Sequence, residues 1–342
     1  LAPPLSMYFL AVPLIIGKVF PIPLALSYRI YFSIYNILTS WLLIQIGDKA
    51  FPHNRKFMAT ILFGMGPFMV LQAAFAGSDE SMGAFLMVLV IYLIVNNKPL
   101  AAVIFIGIGT SAKYYPSLLI PYLLATRKTF RSQIKYAILC IVSVILFFLP
   151  FYFVNPDNFM LQFNNRVKSV PWDSPGNSGL IILIEKLQII KLTSVEYEYK
   201  IFWISSIIII SLFQIFKKYN SVEDAGLVPS IFFILYPKFF FSYFAIILPI
   251  YCLGFAYRKS PYILWGILNL GLIIGGTVND RVFGYSSVYR QEQGDVPLLL
   301  TVGIMIFYGV WIFNWLLIFL KRDFQLQKDK AVFPQISIFN PS

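Results

Sequence analysis

Charge is scarce in this chain. Only 12% of its 342 residues are Asp, Glu, Lys or Arg, while 58% are hydrophobic. A soluble domain carries roughly 25% charged residues. The mean hydropathy of +0.75 excludes an ordinary soluble domain and points to a polytopic membrane protein. Such a protein is expected to be all-α, because lipid cannot satisfy the backbone of open strands. Acids are the rarer sign, 15 against 27 Lys and Arg. The net charge of +12 invites a nucleic-acid reading. The cations, however, fall in short clusters between apolar runs, as in the cytoplasmic loops of membrane proteins, so no nucleic-acid partner is expected. Cysteine is limited to Cys140 and Cys252, both inside apolar runs, which implies no disulfide framework. The single histidine, His53, lies in a basic loop. With no His and Cys cluster at ligand spacing, a zinc site is not expected.

What is there is a near-continuous series of apolar runs: 4–17, 24–46, 57–75, 81–95, 99–112, 114–125, 136–154, 201–216, 225–236, 239–254, 260–276 and 297–320. They predict about 10–12 membrane segments in one transmembrane domain covering residues 1–342. A straight span needs about 20 residues, and several runs are shorter. The pairs 99–125 and 225–254 each contain a Lys-plus-Pro break, which predicts two short helices meeting at a polar vertex. Lys and Arg cluster in 47–56, 126–135, 217–224, 255–260 and the tail after Leu320. Alternation puts these on the cytoplasmic side. It then gathers 76–80, 112–116, 155–200, 237–238 and 277–296 on the other side. Loop 155–200 is too long for a mere connector, and its 180–192 portion reads as an interfacial helix with Glu185, Lys186 and Lys191 facing water.

Ionisable groups at breaks between membrane segments are costly and usually line a functional polar cavity. Three breaks carry them: Gly77-Ser78-Asp79-Glu80-Ser81, Ser111-Ala112-Lys113-Tyr114-Tyr115-Pro116 and Pro237-Lys238. The plainer reading of the first is a solvated turn in which Ser78 or Asp79 caps the helix from Ser81. The functional one is a carboxylate that acts as base or orients a hydroxyl or a metal. Lys113 is either a snorkelling side chain at a helix end or a point charge for a phosphate oxygen. Its predicted depth and side coincide with those of the acid pair. Arg29, inside 24–46, reads as buried or snorkelling, and Asn279-Asp280-Arg281 as a solvated turn unless recruited to the same side.

The stretch 76–122 resembles the membrane glycosyltransferases of the GT-C superfamily, especially the first mannosyltransferase of glycosylphosphatidylinositol synthesis and its archaeal and bacterial relatives. Gly77-Ser78-Asp79-Glu80-Ser81 is similar to their Arg-Gly-Asn-x-Glu-Ser motif, with Ala76 where the Arg would be. Ala112-Lys113-Tyr114-Tyr115-Pro116 is similar to His-Phe-Lys-Ile-Tyr-Pro, with Ser111 in place of the His. Pro237-Lys238-Phe239-Phe240-Phe241-Ser242-Tyr243 keeps the Lys and Ser of a third motif. The opening Pro3-Pro4-Leu5 looks like the end of the family's first external loop. That loop holds the family's main acid, so the resemblance implies a first span and a catalytic carboxylate upstream of Leu1, with 4–17 a juxtamembrane or re-entrant helix.

The resemblance implies an integral-membrane hexosyltransferase, most simply a mannosyltransferase. Its donor would be a polyprenyl (dolichyl-type) phosphate sugar, and its acceptor a glycan or glycolipid on the extracytoplasmic face. The membrane would be a prokaryotic plasma membrane, or the endoplasmic reticulum in a eukaryote. Asp79 and Glu80 are the candidate acids of this chain. Lys113 and Tyr115, then Arg166, Lys168, Lys238 and Arg281, are candidates for the donor phosphate. Ser78, Ser81, Asp173, Asn177 and Ser242 are candidates for the acceptor or its loop. No metal ligand set is assigned, although a divalent cation fits the chemistry, and an accessory membrane subunit is compatible with it. Two rival readings are a transporter or flippase of a lipid-linked or anionic solute and a non-catalytic membrane scaffold.

Overall fold

A computed structural model describes residues 5–51, 53, 56–64, 66, 79–161, 184, 196–236, 243–258, 267, 306 and 309. The described residues are helical and form no strand. In chain order the helices are α1 (Ser6–Val19), α2 (Leu24–Ala50), α3 (Met58–Gly64), α4 (Glu80–Val95), α5 (Pro99–Lys113), α6 (Ile120–Ala125), α7 (Phe130–Val154), α8 (Glu196–Phe216), α9 (Leu227–Leu235) and α10 (Phe244–Arg258). Two 3₁₀ turns, Tyr115–Leu119 and Val222–Gly226, lead into α6 and α9. Three stretches are long and apolar enough to cross a membrane: Leu24–Ala50, Phe130–Val154 and Tyr197–Phe216. The predicted segments 260–276 and 297–320 and the interfacial helix of 180–192 lie outside the described residues.

Helix boundaries follow local chemistry rather than hydropathy alone. α7 starts at Phe130, six residues before the apolar run, because the Thr129 hydroxyl accepts from the Ser132 N–H at 3.2 Å and fixes the first turn. The run 225–236 is split, because Ser221 and Asp224 form a reciprocal capping box around Val222–Gly226. α1 is tied to α2 by side chains. The Ser27 hydroxyl bonds the Pro13 and Leu24 carbonyls, each at 2.8 Å, and the Tyr28 hydroxyl donates to the Leu10 carbonyl at 3.1 Å. Arg29 is exposed on α2.

α4 is the central helix. It is apolar all round, as a fully enclosed helix should be, and it packs against α2, α5 and α10. Its C-terminus turns sharply. The Lys98 N–H bonds the Leu93 carbonyl at 2.9 Å and the Asn97 N–H the Ile94 carbonyl at 3.0 Å, the paired bonds of a Schellman stop. Asn97 takes the left-handed conformation this needs, with φ 56°, which Asn tolerates better than most residues. Pro99 then opens α5, where its missing N–H costs nothing. With 16 and 15 residues, α4 and α5 form an antiparallel hairpin of matched length, so the start of one must meet the end of the other.

α5 lies close to α7. A Cβ at Gly107 would collide with Ser143 Oγ and sit 2.8 Å from the Ser143 carbonyl oxygen. Small residues permit such close backbone approach in membrane helices. α7 and α8 lie at the periphery and expose apolar side chains such as Ile138, Ile145, Ile204 and Ile208. That is the surface expected where lipid is the solvent.

The pair 99–125 breaks after Lys113 as predicted, while the Pro237-Lys238 break of the second pair lies outside the described residues. The chain turns at 114–119 and comes back, so that Thr126–Thr129 lie beside Asn97 and Pro99 in one pocket. α9 and α10 turn back likewise, since α10 packs against Val222–Gly226, the start of the pair. The turn after α5 meets the facing ends of α9 and α10: the Tyr115 ring lies 5.2 Å from Phe233, 6.5 Å from Phe232 and 5.9 Å from Tyr243.

Candidate functional site

The matched hairpin brings together three charged side chains separated by up to 34 positions. Lys113 Nζ lies 2.7 Å from Asp79 Oδ2 and 3.2 Å from Glu80 Oε1. The site is nearly dry on one side and open on the other. The Lys113 and Glu80 side chains are 11% and 7% exposed, and that of Asp79 is 29% exposed. Two carboxylates and one ammonium leave a formal charge of −1 if all are ionised. A carboxylate as buried as Glu80 is tolerable only beside a cation.

Asp79 does not cap α4. It occupies the N-cap position, but its side chain makes no capping bond. An ammonium at 2.7 Å is a stronger partner for a carboxylate than a backbone N–H. Ser78, the other predicted cap, lies outside the described residues. Lys113 does not snorkel away from the helix end. Two of its three N–H donors go to the acid pair.

The surroundings are aromatic and apolar. Met82, Leu86, Ala112 and Phe32 form a small buried cluster against the α4–α5 end of the site. Tyr28, Tyr31 and Tyr35 pack on it from α2, with the Tyr31 and Tyr35 hydroxyls 2.8 Å apart. Tyr28 lies within electrostatic reach of the Asp79 carboxylate. Tyr115 packs on the first turn of α4: its Cδ2 lies 3.7 Å from where a Cβ on Gly83 would be. The Tyr115 hydroxyl is hydrogen-bonded to Tyr243 and lies within reach of the Glu80 charge. Pro116 wedges against α5 at Gly109, where a Cβ would meet its ring at 2.7 Å, which fixes the break just after Lys113.

Of the candidates read from sequence, Asp79, Glu80, Lys113 and Tyr115 come together here. Ser81 is adjacent and fully buried, and neither its hydroxyl nor that of Thr110 has a hydrogen-bond partner among the described residues. Ser111, in the position of the family His, turns its hydroxyl onto the Ile108 carbonyl at 2.8 Å, and its own carbonyl accepts from the Leu5 N–H at 2.9 Å. Arg166, Lys168, Asp173, Asn177, Lys238, Ser242 and Arg281 lie outside the described residues. Sequence reasoning did not single out Tyr28, Phe232 or Phe233. The signal for Tyr28 was available in the Tyr28, Tyr31, Tyr35 spacing on α2, one helical face.

Among the described residues no three of His, Cys, Asp and Glu group together. Between Asp79 and Glu80 it is the Lys113 ammonium that supplies the positive charge. Chemically, the cluster offers a partly exposed carboxylate held by a buried ion pair. Such a group can accept a proton from, or orient, a hydroxyl.

The model of Glycosyltransferase family 87 matches residues 3–190, more than half of the chain and all three members of the cluster. The family falls in the GT-C clan. No curated protein sequence matches the chain.

Proposed function

The chain belongs to glycosyltransferase family 87 and is membrane-embedded, and from that premise we propose that it transfers a hexose, mannose in the first instance, from a polyprenyl phosphate to a glycan or glycolipid acceptor on the extracytoplasmic face. The observation that carries this reading is the Asp79–Lys113–Glu80 cluster where the start of α4 meets the end of α5. In the reaction the acceptor hydroxyl oxygen forms a bond to the sugar anomeric carbon. The bond from that carbon to the phosphate oxygen breaks, and the hydroxyl proton passes to a carboxylate. Asp79, the more exposed acid, is the member of the cluster that touches the acceptor hydroxyl. Glu80 is a positioning residue that holds Lys113 against it. The remaining Lys113 N–H offers a donor to the lipid phosphate as negative charge grows there. Inversion at the anomeric carbon is the expected stereochemistry.

The test is transfer in liposomes holding the purified protein, labelled polyprenyl-phosphate mannose and a panel of lipid-linked acceptors. Asp79→Asn and Lys113→Ala abolish transfer in folded protein, and Glu80→Gln reduces it with a change in kcat rather than KM. Unchanged transfer in Asp79→Asn and Lys113→Ala would move the chemistry elsewhere. Movement of the donor across the bilayer without transfer would turn the reading to a carrier, for which broken helices with charged vertices are equally suited.

A further inference from the structure

One side of the cluster is walled by aromatic rings that the transferase reading leaves without a role. On α2 the half-buried Tyr28 and Tyr31 pack on the buried cluster of Phe32, Met82, Leu86 and Ala112. Met82 follows Asp79 by three residues, and Ala112 directly precedes Lys113. We propose that Tyr28 is an acceptor-binding residue beside Asp79, and that its ring selects a neutral pyranose by contact with the C–H face of the sugar. The proposal rests on the transferase reading and names the acceptor class for that site.

Position comes first. Asp79 is the most exposed member of the cluster, at 29% of its side chain, so an acceptor hydroxyl reaches the cluster there. The sugar that carries this hydroxyl then lies against whatever borders Asp79. Tyr28 is within electrostatic reach of that carboxylate and shares an apolar cluster with Met82 in the first turn of α4. Leu5 and Leu10 of α1 pack on the same cluster. The Leu5 N–H bonds the Ser111 carbonyl at 2.9 Å, which ties that edge of the wall to the end of α5.

The ring is also set in advance. The Tyr28 hydroxyl donates its proton to the Leu10 carbonyl at 3.1 Å. Its ring centroid lies 6.0 Å from that of Phe32, which is fully buried. Tyr31 stands edge-on to Phe32 at 5.1 Å and shares a hydrogen bond of 2.8 Å with Tyr35. A side chain held at its tip and backed by a buried ring loses little freedom when a ligand arrives. With the proton committed, Tyr28 has two things left to offer. One is apolar ring surface, whose face carries partial negative charge and suits the partly positive C–H groups of a pyranose. The other is a hydroxyl lone pair that can accept from a sugar hydroxyl.

Charge then narrows the sugar. The cluster carries a formal −1 when all three groups are ionised, and Asp79 is its member nearest the wall. A uronate or a phosphosugar seated on Tyr28 would bring a second negative charge to that carboxylate. The wall itself supplies no cation. Lys113 is engaged by both acids. Arg29 is exposed and about 100° round α2 from Tyr28. Lys18 is exposed on α1, about 12 Å along the helix from Leu10. Asp48 and Lys49 lie about 30 Å along α2. A neutral sugar is the occupant that this wall does not repel.

The test is steady-state transfer by the purified full chain in liposomes, from labelled polyprenyl-phosphate mannose to octyl α-mannoside. Tyr28→Leu should raise the acceptor KM about tenfold, with kcat within about twofold and the donor KM unchanged. Tyr28→Phe keeps the ring and loses only the Leu10 bond, so its acceptor KM should stay within about threefold. A purely structural role would instead lower kcat and disturb the donor KM as well, and that result would overturn the proposal. Wild type alone gives a second reading should Tyr28→Leu not fold. Octyl α-mannuronide and its primary amide have nearly the same shape and differ in charge; as competitors of the acceptor, the amide should bind about tenfold better. Equal competition, or an unchanged acceptor KM in Tyr28→Leu, would overturn the proposal and leave the transferase reading standing. Absence of transfer to any acceptor by wild type would remove both.

Discussion

Replacing Lys113 with Met tests the cluster as a unit, because Met keeps much of the side-chain volume and removes only the ammonium. Glu80 and Asp79 are then left side by side without their cation, at positions where Lys113 Nζ now stands 3.2 and 2.7 Å from their oxygens. Removing one partner of a buried ion pair costs about 3–5 kcal/mol. The two acids do not share that cost equally. Asp79 is 29% exposed on its side chain and can turn to water, so its part is of the surface kind, roughly 0–1 kcal/mol. Glu80 has no such outlet. Lys113→Met should therefore lower stability by about 3 kcal/mol. Adding Glu80→Gln should recover more than half of that, and adding Asp79→Asn no more than about 1 kcal/mol, the surface share. The assay is reversible unfolding in mixed micelles, followed by tryptophan fluorescence and circular dichroism, as a double-mutant cycle. Rescue by Asp79→Asn as large as that by Glu80→Gln would refute the burial argument. A single variant as stable as wild type would refute the cluster itself.

Other consequences are open to direct measurement. Gly107→Ala places a Cβ 2.8 Å from the Ser143 carbonyl and should cost about 1–3 kcal/mol through overpacking. Gly83→Ala meets only ordinary contacts at 3.5–3.7 Å and should be neutral or stabilising by up to ~1 kcal/mol; the same unfolding assay compares them. Asn97→Gly should change stability by only a few tenths of a kcal/mol, and Asn97→Ala should lose roughly 1 kcal/mol, because the residue sits at φ 56°. Gln214 is 1% exposed and donates to the Asp224 carbonyl at 2.8 Å. Gln214→Leu should cost about 1–3 kcal/mol, read as earlier hydrogen exchange in the 219–226 segment.

Much of the architecture could be read from residue type alone. The breaks at 79–80 and 113–116 stand out because ionisable groups are so rare between apolar runs, and the Lys and Arg clusters place them at one end. What one-dimensional patterning could not supply was the partner of each group. Asp79 reads as a cap because Asp in front of an apolar helix usually is one. Only the matched lengths of α4 and α5, set by the Asn97 turn, bring Lys113 near enough to outcompete the backbone. Tyr243 is the hydrogen-bond partner of Tyr115, a relation between residues 128 positions apart that no local spacing encodes. α7 begins ahead of its apolar run for a simpler reason: hydropathy marks where lipid begins, whereas Thr129 marks where the helix does.

The α4–α5 hairpin also makes residue number a constrained quantity. One residue inserted or deleted within either helix rotates everything beyond it by about 100° and shifts it by about 1.5 Å, enough to carry the Lys113 ammonium off the face that Asp79 and Glu80 share. This part of the chain should accept many changes of side chain but very few changes of count. A deletion scan would then show an intolerant block from 80 to 113 bounded by turns that absorb such changes freely, a gauge of length written into the site without any residue of its own.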